Sequence, residues 1–366
     1  MTLNMFLESF FLDVIEKRRK AAWLLPMLRG SSFFYRSAIA MRNVAYDRGW
    51  LRSQQASLPV VSIGNIVTGG TGKTPLVHKL AEELSKKGKV AILTRGFRSE
   101  IEKTDQFLRL NHQEGLSFKA AQCGDEPLLL SRFLPKVDIW VGKNRLQTAE
   151  EARAKGVGIL ILDDGMQYRR LKRDFELVVL DGKDPFGQGY FLPRGLLRDS
   201  PKRLKSADLI FFNHVEDEEH FESLQKMIHP FSQAPVVGAQ LNPQNRLQLL
   251  QKKVGVFCGL GKPQRFFEAL KKMQIEVVAS LILPDHISPK EEELRAFANI
   301  SQLKGAECLV CTEKDQIKLS SQLELSLPVI PVKAALEIAF GKKDWEKTLE
   351  NIQSLLLTTD SQSIMR

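Results

Sequence analysis

Apolar residues along this chain fall into short uninterrupted runs, separated by segments in which they recur every three or four positions. The runs Pro59 to Ile63, Val90 to Thr94, Asp138 to Val141, Gly158 to Leu162, Phe175 to Leu180 and Asp208 to Phe212 have the length and continuity of strands buried on both faces. Between them, Pro75 to Lys86, Glu126 to Phe133 and Arg145 to Lys155 carry helical spacing. Strand alternating with helix predicts a mostly parallel α/β sheet. The pattern changes near residues 230–250, where Pro230, Pro235 and Pro243 flank polar connections. A second α/β series follows with Val254 to Cys258, a Gly259-Leu260-Gly261-Lys262-Pro263 turn, a helix from about Gln264 to Lys272, and Glu276 to Leu283. The economical division is an N-terminal helical segment over 1–50, a larger α/β domain over 51–235 and a smaller α/β domain over 236–366.

The first segment has a different texture. Within residues 1–55, nine Lys and Arg stand against four acids, half of the chain's net charge of +10. Interleaved with them are Met5, Phe6, Leu7, Phe10, Phe11, Trp23, Leu24, Leu25, Met27, Leu28, Phe33, Phe34 and Tyr35. No apolar run approaches the ~20 residues needed to span a bilayer, and no basic stretch precedes an apolar core as in a signal peptide. Basic and aromatic residues mixed at helical spacing fit a helix lying on an anionic leaflet. They also fit a helical hairpin packed on the catalytic core, and different faces can do both.

With 366 residues and 43% hydrophobic content, the chain is long enough for two ordinary cores. Its positive balance suits an anionic partner, but no recognised nucleic-acid module is present and none is expected to bind. The four cysteines, Cys123, Cys258, Cys308 and Cys311, suggest a reducing compartment rather than a disulfide scaffold. Cys308-Leu309-Val310-Cys311 has CxxC spacing, yet it lies in an apolar run that reads as a buried strand, with no second pair to complete a zinc site.

The chemistry begins where the run Pro59 to Ile63 breaks into Gly64-Asn65-Ile66-Val67-Thr68-Gly69-Gly70-Thr71-Gly72-Lys73-Thr74-Pro75. A glycine-rich loop between a strand and a helix lets backbone N–H groups curl around phosphate oxygens, while the helix N-terminus adds partial positive charge. Val67, Thr68, Gly69, Gly70, Thr71, Gly72, Lys73 and Thr74 are thus the nucleotide-binding candidates. Lys73 would reach the β/γ-phosphates and Thr74 would offer its hydroxyl to Mg²⁺. The loop is a variant, because Val67 stands where a strict Walker A motif has glycine. Gly158 to Leu162 then ends on Asp163-Asp164, the form of a Walker B element, whose paired carboxylates call for a cation at a buried strand end. Arg169 and Arg170 follow closely, and arginine forks suit phosphate. Asp125, before a second helix, is either a cap or a base facing the γ-phosphate. Asp285-His286 offers a possible partner for it from the second domain.

Taken in order, Gly64-Asn65, Gly69-Gly70-Thr71-Gly72-Lys73-Thr74-Pro75, Thr94-Arg95-Gly96-Phe97, Gly124-Asp125-Glu126-Pro127, Asp163 to Arg170, Leu192-Pro193-Arg194-Gly195-Leu196-Leu197-Arg198 and Thr312-Glu313-Lys314-Asp315 resemble the tetraacyldisaccharide 4'-kinase family, the lipid A kinases of Gram-negative envelopes. The resemblance runs from about residue 10 to residue 320. It implies a P-loop NTPase-like fold and transfer of the γ-phosphate of ATP to the 4'-hydroxyl of a tetraacylated glucosamine disaccharide 1-phosphate. It also implies a peripheral enzyme, expected to be monomeric, at the cytoplasmic face of the bacterial inner membrane. Carried over by motif, Asp125 is the base and His286 its dyad partner. Lys73 and Thr74 keep their phosphate and Mg²⁺ roles, Asp163 or Asp164 completes the metal site, and Arg95, Arg145, Arg170 and Arg198 are phosphate or headgroup contacts. The chain departs from the family pattern at Met166 and Tyr168, where an aromatic residue and a histidine are usual, and at Asp199, where glutamate is usual. The alternative is a membrane-recruited P-loop switch ATPase, a class that carries a second lysine where this chain has Thr68.

Overall fold

The computed structural model describes residues 24–111, 117–285, 287–320 and 323–363. The first 23 residues of the expected N-terminal segment, and His286, lie outside them. Among the described residues nine strands form one sheet: β1 (Val60–Gly64), β2 (Val90–Thr94), β3 (Phe107–Leu110), β4 (Val137–Gly142), β5 (Ile159–Asp163), β6 (Phe175–Asp181), β7 (Leu209–Asn213), β8 (Val236–Pro243) and a late strand, Ala334–Phe340. A second, four-stranded sheet is built from β9 (Lys253–Cys258), β10 (Glu276–Ile282), β11 (Cys308–Thr312) and β12 (Val329–Val332), in the order β10-β9-β11-β12. The late strand is therefore β13, and the large sheet runs β13-β8-β7-β6-β1-β5-β2-β4-β3.

Central position explains the apolar runs. β1, β2, β5 and β7 are buried at every residue because helices cover both faces of the parallel sheet. Pairing is parallel throughout the large sheet except at its two edges, where β3 runs antiparallel to β4 and β13 antiparallel to β8. The helix Lys73–Ser85 buries Leu76, Val77, Leu80, Ala81 and Leu84, one stripe at helical spacing, and carries Pro75 in its first turn, where a missing N–H costs no internal bond.

The expected boundary after residue 235 is corrected by this topology. β8 pairs in parallel with β7, β13 returns to pair with β8, and the helix Lys342–Ser363 places Trp345, Ile352 and Leu356 in the main core. The smaller sheet, residues 253–332, is thus an insertion between two strands of the larger one. Its Cys258, Cys308 and Cys311 are free and buried within the strands, as expected of apolar core positions.

Ahead of the sheet, the helix Leu25–Asp47 docks through polar contacts. Ser32 Oγ donates to the Phe191 carbonyl at 2.8 Å, Asn43 Nδ2 donates to Asp199 Oδ1 at 2.9 Å, and Arg169 pairs with Asp47 at 2.6 Å. Its outer face leaves Met27, Phe33, Phe34 and Met41 exposed by about two thirds or more, followed by Trp50. No described helix is long and apolar enough to cross a membrane.

The inserted sheet is tied to the large one by buried charge. Asp181, at the end of β6 and only 3% exposed, meets Arg265 Nη2 at 2.6 Å, Lys262 Nζ at 3.7 Å and His214 Nδ1 at 3.2 Å. Burial alone would raise the Asp181 pKa, but the His214 hydrogen bond and the Arg265 guanidinium outweigh it and hold the carboxyl well below the usual carboxylate range. Asp181→Asn, which strands these cations, is expected to cost about 3 kcal/mol in urea unfolding at pH 7. Because the folded pKa is depressed, that advantage of the wild type is complete at neutral pH and shrinks as pH falls below about 4. A gap that stayed constant down to pH 3 would contradict this account.

Candidate active site

The loop after β1 is held in shape from both ends. Asn65 Nδ2 donates to Thr71 Oγ1 at 2.7 Å, and Asn213 Nδ2, from the end of β7, donates to the carbonyls of Thr71 and Gly72 at 2.7 and 3.0 Å. Gly72 is required there: its φ of +80° is strained for a side chain, and a Cβ would strike the Asn213 amide. Gly69 and Gly70 face open space, leaving room for phosphate oxygens against the backbone. Val67 and Thr68 are different. Val67 is buried in a bridge to Leu197, and the Thr68 N–H is spent on the Leu196 carbonyl at 2.8 Å, so both form the wall of the loop rather than its phosphate-facing surface.

Three segments converge on the start of the helix Lys73–Ser85. Lys73 Nζ lies 3.3 Å from Asp164 Oδ1. Arg198 forks onto both oxygens of Asp164, with Nη1 2.8 Å from Oδ2, and also donates to the Asn65 side chain. Burial would raise the Asp164 pKa, but Lys73 and Arg198 overcome it and hold this carboxyl far below its ordinary value. Asp163 faces the opposite balance. Nearly fully buried, with Oδ2 accepting from Thr94 Oγ1 at 3.1 Å, it is pushed up to about 6 by burial and by the nearby Glu126 and Asp164 carboxylates. One strand end therefore carries a compensated carboxylate beside one that lacks enough positive charge.

That donor set fits Mg²⁺. Asp163 and the Thr74 hydroxyl are hard oxygen donors beside an open phosphate cradle, and the excess negative charge at Asp163 is what a divalent cation would relieve. Among the described residues no three His, Cys, Asp or Glu side chains form a metal cage. Mg²⁺ ordinarily keeps waters and substrate phosphates in its shell, so one or two protein oxygens suffice.

Asp125 opens the helix Asp125–Phe133 beside this cluster. Its approach passes Gly96, whose φ of +71° and packing against the Val141 side chain, the Ser99 hydroxyl and the Cys123 carbonyl leave no space for a Cβ. From the inserted sheet, Lys318 Nζ comes within 2.9 Å of Asp125 Oδ2, and Lys314 Nζ lies 3.6 Å from Glu126.

One of the expected arginine contacts is corrected. Arg145 is 5% exposed, donates to the Asp163 carbonyl at 3.2 Å and stacks 4.9 Å over Tyr168, so it braces the strand end from behind. Arg170 stays on the surface, contributing its carbonyl to Gln54 N at 2.7 Å. Arg95 remains exposed near the site and pairs with Glu102 at 2.8 Å. The departures at Met166 and Tyr168 have structural uses: Met166 is fully buried, and the Tyr168 hydroxyl accepts from Arg145 N at 3.1 Å.

Arg173, Glu176 and Lys318 carry no sequence signal of the kind used above. Arg173 Nη2 donates to the carbonyls of Gly165 and Tyr168 while Nη1 pairs with the buried Glu176 at 3.0 Å, which in turn accepts from Ser62 Oγ at 2.8 Å. This network shapes the backbone after Asp164. Asn213 had one sign, a polar residue ending an apolar run.

Comparison with known proteins agrees with this geometry. Residues 22–353 match the model of the tetraacyldisaccharide-1-phosphate 4'-kinase family. A tetraacyldisaccharide 4'-kinase of Chlamydia trachomatis serovar D is 37% identical over 324 residues, covering 84% of this chain and 86% of the relative. One from Anaeromyxobacter dehalogenans strain 2CP-C is 36% identical over 313 residues, covering 81% and 82%. The crystal structure of LpxK from Aquifex aeolicus in complex with ATP superposes with a TM-score of 0.69 at 28% identity, covering 90% of this chain and 98% of that one. The chain therefore belongs to the tetraacyldisaccharide-1-phosphate 4'-kinase family.

Proposed function

We propose that this ATP-dependent lipid A kinase transfers the γ-phosphate of ATP to the 4'-hydroxyl of a tetraacylated glucosamine disaccharide 1-phosphate, with Asp125 as general base. The observation that carries the reading is the meeting of Lys73 with the paired carboxylates of β5 at the mouth of an open glycine loop. Lys73 neutralises charge on the β- and γ-phosphates, and the loop N–H groups and helix N-terminus orient them. Arg198, already forked on Asp164, is placed to follow charge as it develops on the transferred group. Asp125 accepts the proton of the 4'-hydroxyl as its oxygen bonds to phosphorus and ADP departs. His286 is proposed as the partner of Asp125. Arg95 is proposed as an outer contact for the substrate's anionic groups. Thr74 and Asp163 would hold Mg²⁺, with Asp164 behind them; when bound, Mg²⁺ draws charge from the phosphate oxygens.

The exposed apolar face of the helix Leu25–Asp47 supports a peripheral enzyme, and we propose that it is a monomer at the cytoplasmic face of the inner membrane. Met27, Phe33, Phe34 and Met41 project with Arg29, Arg36 and Arg48 from a helix whose polar side is already used in docking. An amphiphilic substrate embedded in the leaflet then meets the loop 191–199, which connects this helix to Arg198.

Phosphate transfer from labelled ATP to the tetraacylated disaccharide 1-phosphate in detergent micelles is the direct test, with Lys73→Ala as blank. Asp125→Asn is expected to lower kcat by roughly 10²–10⁴ while ATP binding survives; near wild-type turnover would remove the base assignment. Since the Asp163 carboxyl is raised to about 6, protons compete with the metal as pH falls through that value. The Mg²⁺ concentration for half-maximal activity should therefore climb between pH 7.5 and 5.5, and Asp163→Asn should raise it at pH 7.5 and flatten the dependence. Replacing Phe34 and Met41 with Asp should weaken sedimentation with anionic liposomes by about tenfold per side chain, leaving turnover of detergent-dispersed substrate intact. Unchanged sedimentation would exclude this helix as the membrane contact.

A further inference from the structure

The Thr312-Glu313-Lys314-Asp315 segment lies in the inserted sheet, away from the glycine loop, and phosphate binding gives it no role. It follows β11 and turns the chain so that Lys318 crosses to the large domain. The Lys318 side chain is 5% exposed and sits between two carboxylates that are also largely withdrawn from water. Its short contact is with Asp125 Oδ2, at 2.9 Å; Asp315 Oδ1 lies at 4.0 Å. Asp315 is otherwise engaged, accepting from Thr312 Oγ1 at 2.7 Å and from Gly259 N at 3.1 Å. Gly259 packs against the Ile287 carbonyl so closely that it has no room for a Cβ, and a Cβ on Gly261 would touch the Asp285 carboxylate. Asp315 thus joins the turn after β9 to the lysine that reaches Asp125.

We propose that Lys318 is a positioning residue for phosphate transfer, fixing the rotation of the Asp125 carboxylate from the inserted sheet, with Asp315 as its anchor. The inference rests on Asp125 being the base and adds how that base is held. A side chain carrying charge at this depth needs a polar partner, and Asp125 is the one it meets at short range. The ion contact at Oδ2 restrains the rotation of the group, and proton transfer depends steeply on such placement. The pair Lys314 to Glu126 runs alongside it, so the base is assembled by two contacts that exist only when the inserted sheet is docked.

Steady-state kinetics of the full chain with ATP and the tetraacylated disaccharide 1-phosphate test this. Lys318→Met is expected to lower kcat by about 10²-fold with the KM for ATP changed no more than about twofold. Added to Asp125→Asn, the same change should cost nothing further, because its target is already gone. Wild-type kcat in Lys318→Met overturns the proposal, as does a loss that persists undiminished in the Asp125→Asn background, which marks a purely structural role. Full activity in Asp125→Asn alone fails the base reading itself, a result separate from either. Should Lys318→Met not fold, Lys318→Arg keeps the buried charge while its longer planar fork displaces the carboxylate. It is expected to fold and lose about tenfold in kcat, and full turnover there also overturns the proposal.

Discussion

Two carboxylates at the end of one buried strand set the terms for the rest of this molecule. Asp163 and Asp164 sit where β5 leaves the sheet, and the interior cannot tolerate them without positive charge nearby. Lys73 supplies it from the helix after the glycine loop, and Arg198 from the loop 191–199. Arg145 adds its guanidinium from below, bonding the Asp163 carbonyl. Each cation belongs to a different element, so compensating this one strand end brings three elements together. The compensation is incomplete at Asp163, whose carboxyl is pushed up by burial and by the neighbouring carboxylates.

The same logic extends outward. Arg198 can reach Asp164 because its loop is bridged to Val67 and pinned to the N-terminal helix through Phe191 and Asp199. The N-terminal helix is therefore linked through this loop to Asp164, the carboxylate that Lys73 also meets. The inserted sheet is attached through charges at Asp181, at the end of β6, and at Asp125, at the start of the helix Asp125–Phe133. Ionic docking of this kind is strong enough to hold a domain yet has a geometry that a bound anion can alter. The large sheet thus carries an N-terminal helix with an exposed apolar face and an inserted second sheet.

How readily the sequence can be read varies with the range of the interaction. Strands buried on both faces announce themselves as apolar runs, and β1, β2, β4, β5, β6 and β7 fall within a residue or so of the expected positions. β3, with half-exposed Phe107 and Leu108 at the sheet edge, has no such run, and β13 alternates with exposed positions. The membership of β8 and β13 in the first sheet could not be read locally, because pairing across an insertion of some eighty residues leaves no mark in either strand. At the site, Lys73, Asp163, Asp164 and Asp125 were legible because their chemistry depends on neighbours in sequence. Arg145 was misassigned for the converse reason: an arginine beside a motif looks the same whether it faces the ligand or braces the strand behind it.

By itself the sequence determined the alternating α/β plan, the glycine loop with its lysine, the paired carboxylates, the basic aromatic N-terminus and, through the joint order of its motifs, the kinase family. All of these depend on periodicity or on residues a few positions apart, which the chain's local geometry converts directly into structure. Only the tertiary structure decided that Asn213 shapes the loop 71–72, that Arg173 and Glu176 organise the backbone after Asp164, and that Lys318 meets Asp125. Those contacts join residues from 3 to about 190 positions apart, and for the distant pairs the partner is selected by packing and by the cost of an unpaired buried charge, quantities that exist only once the chain has folded.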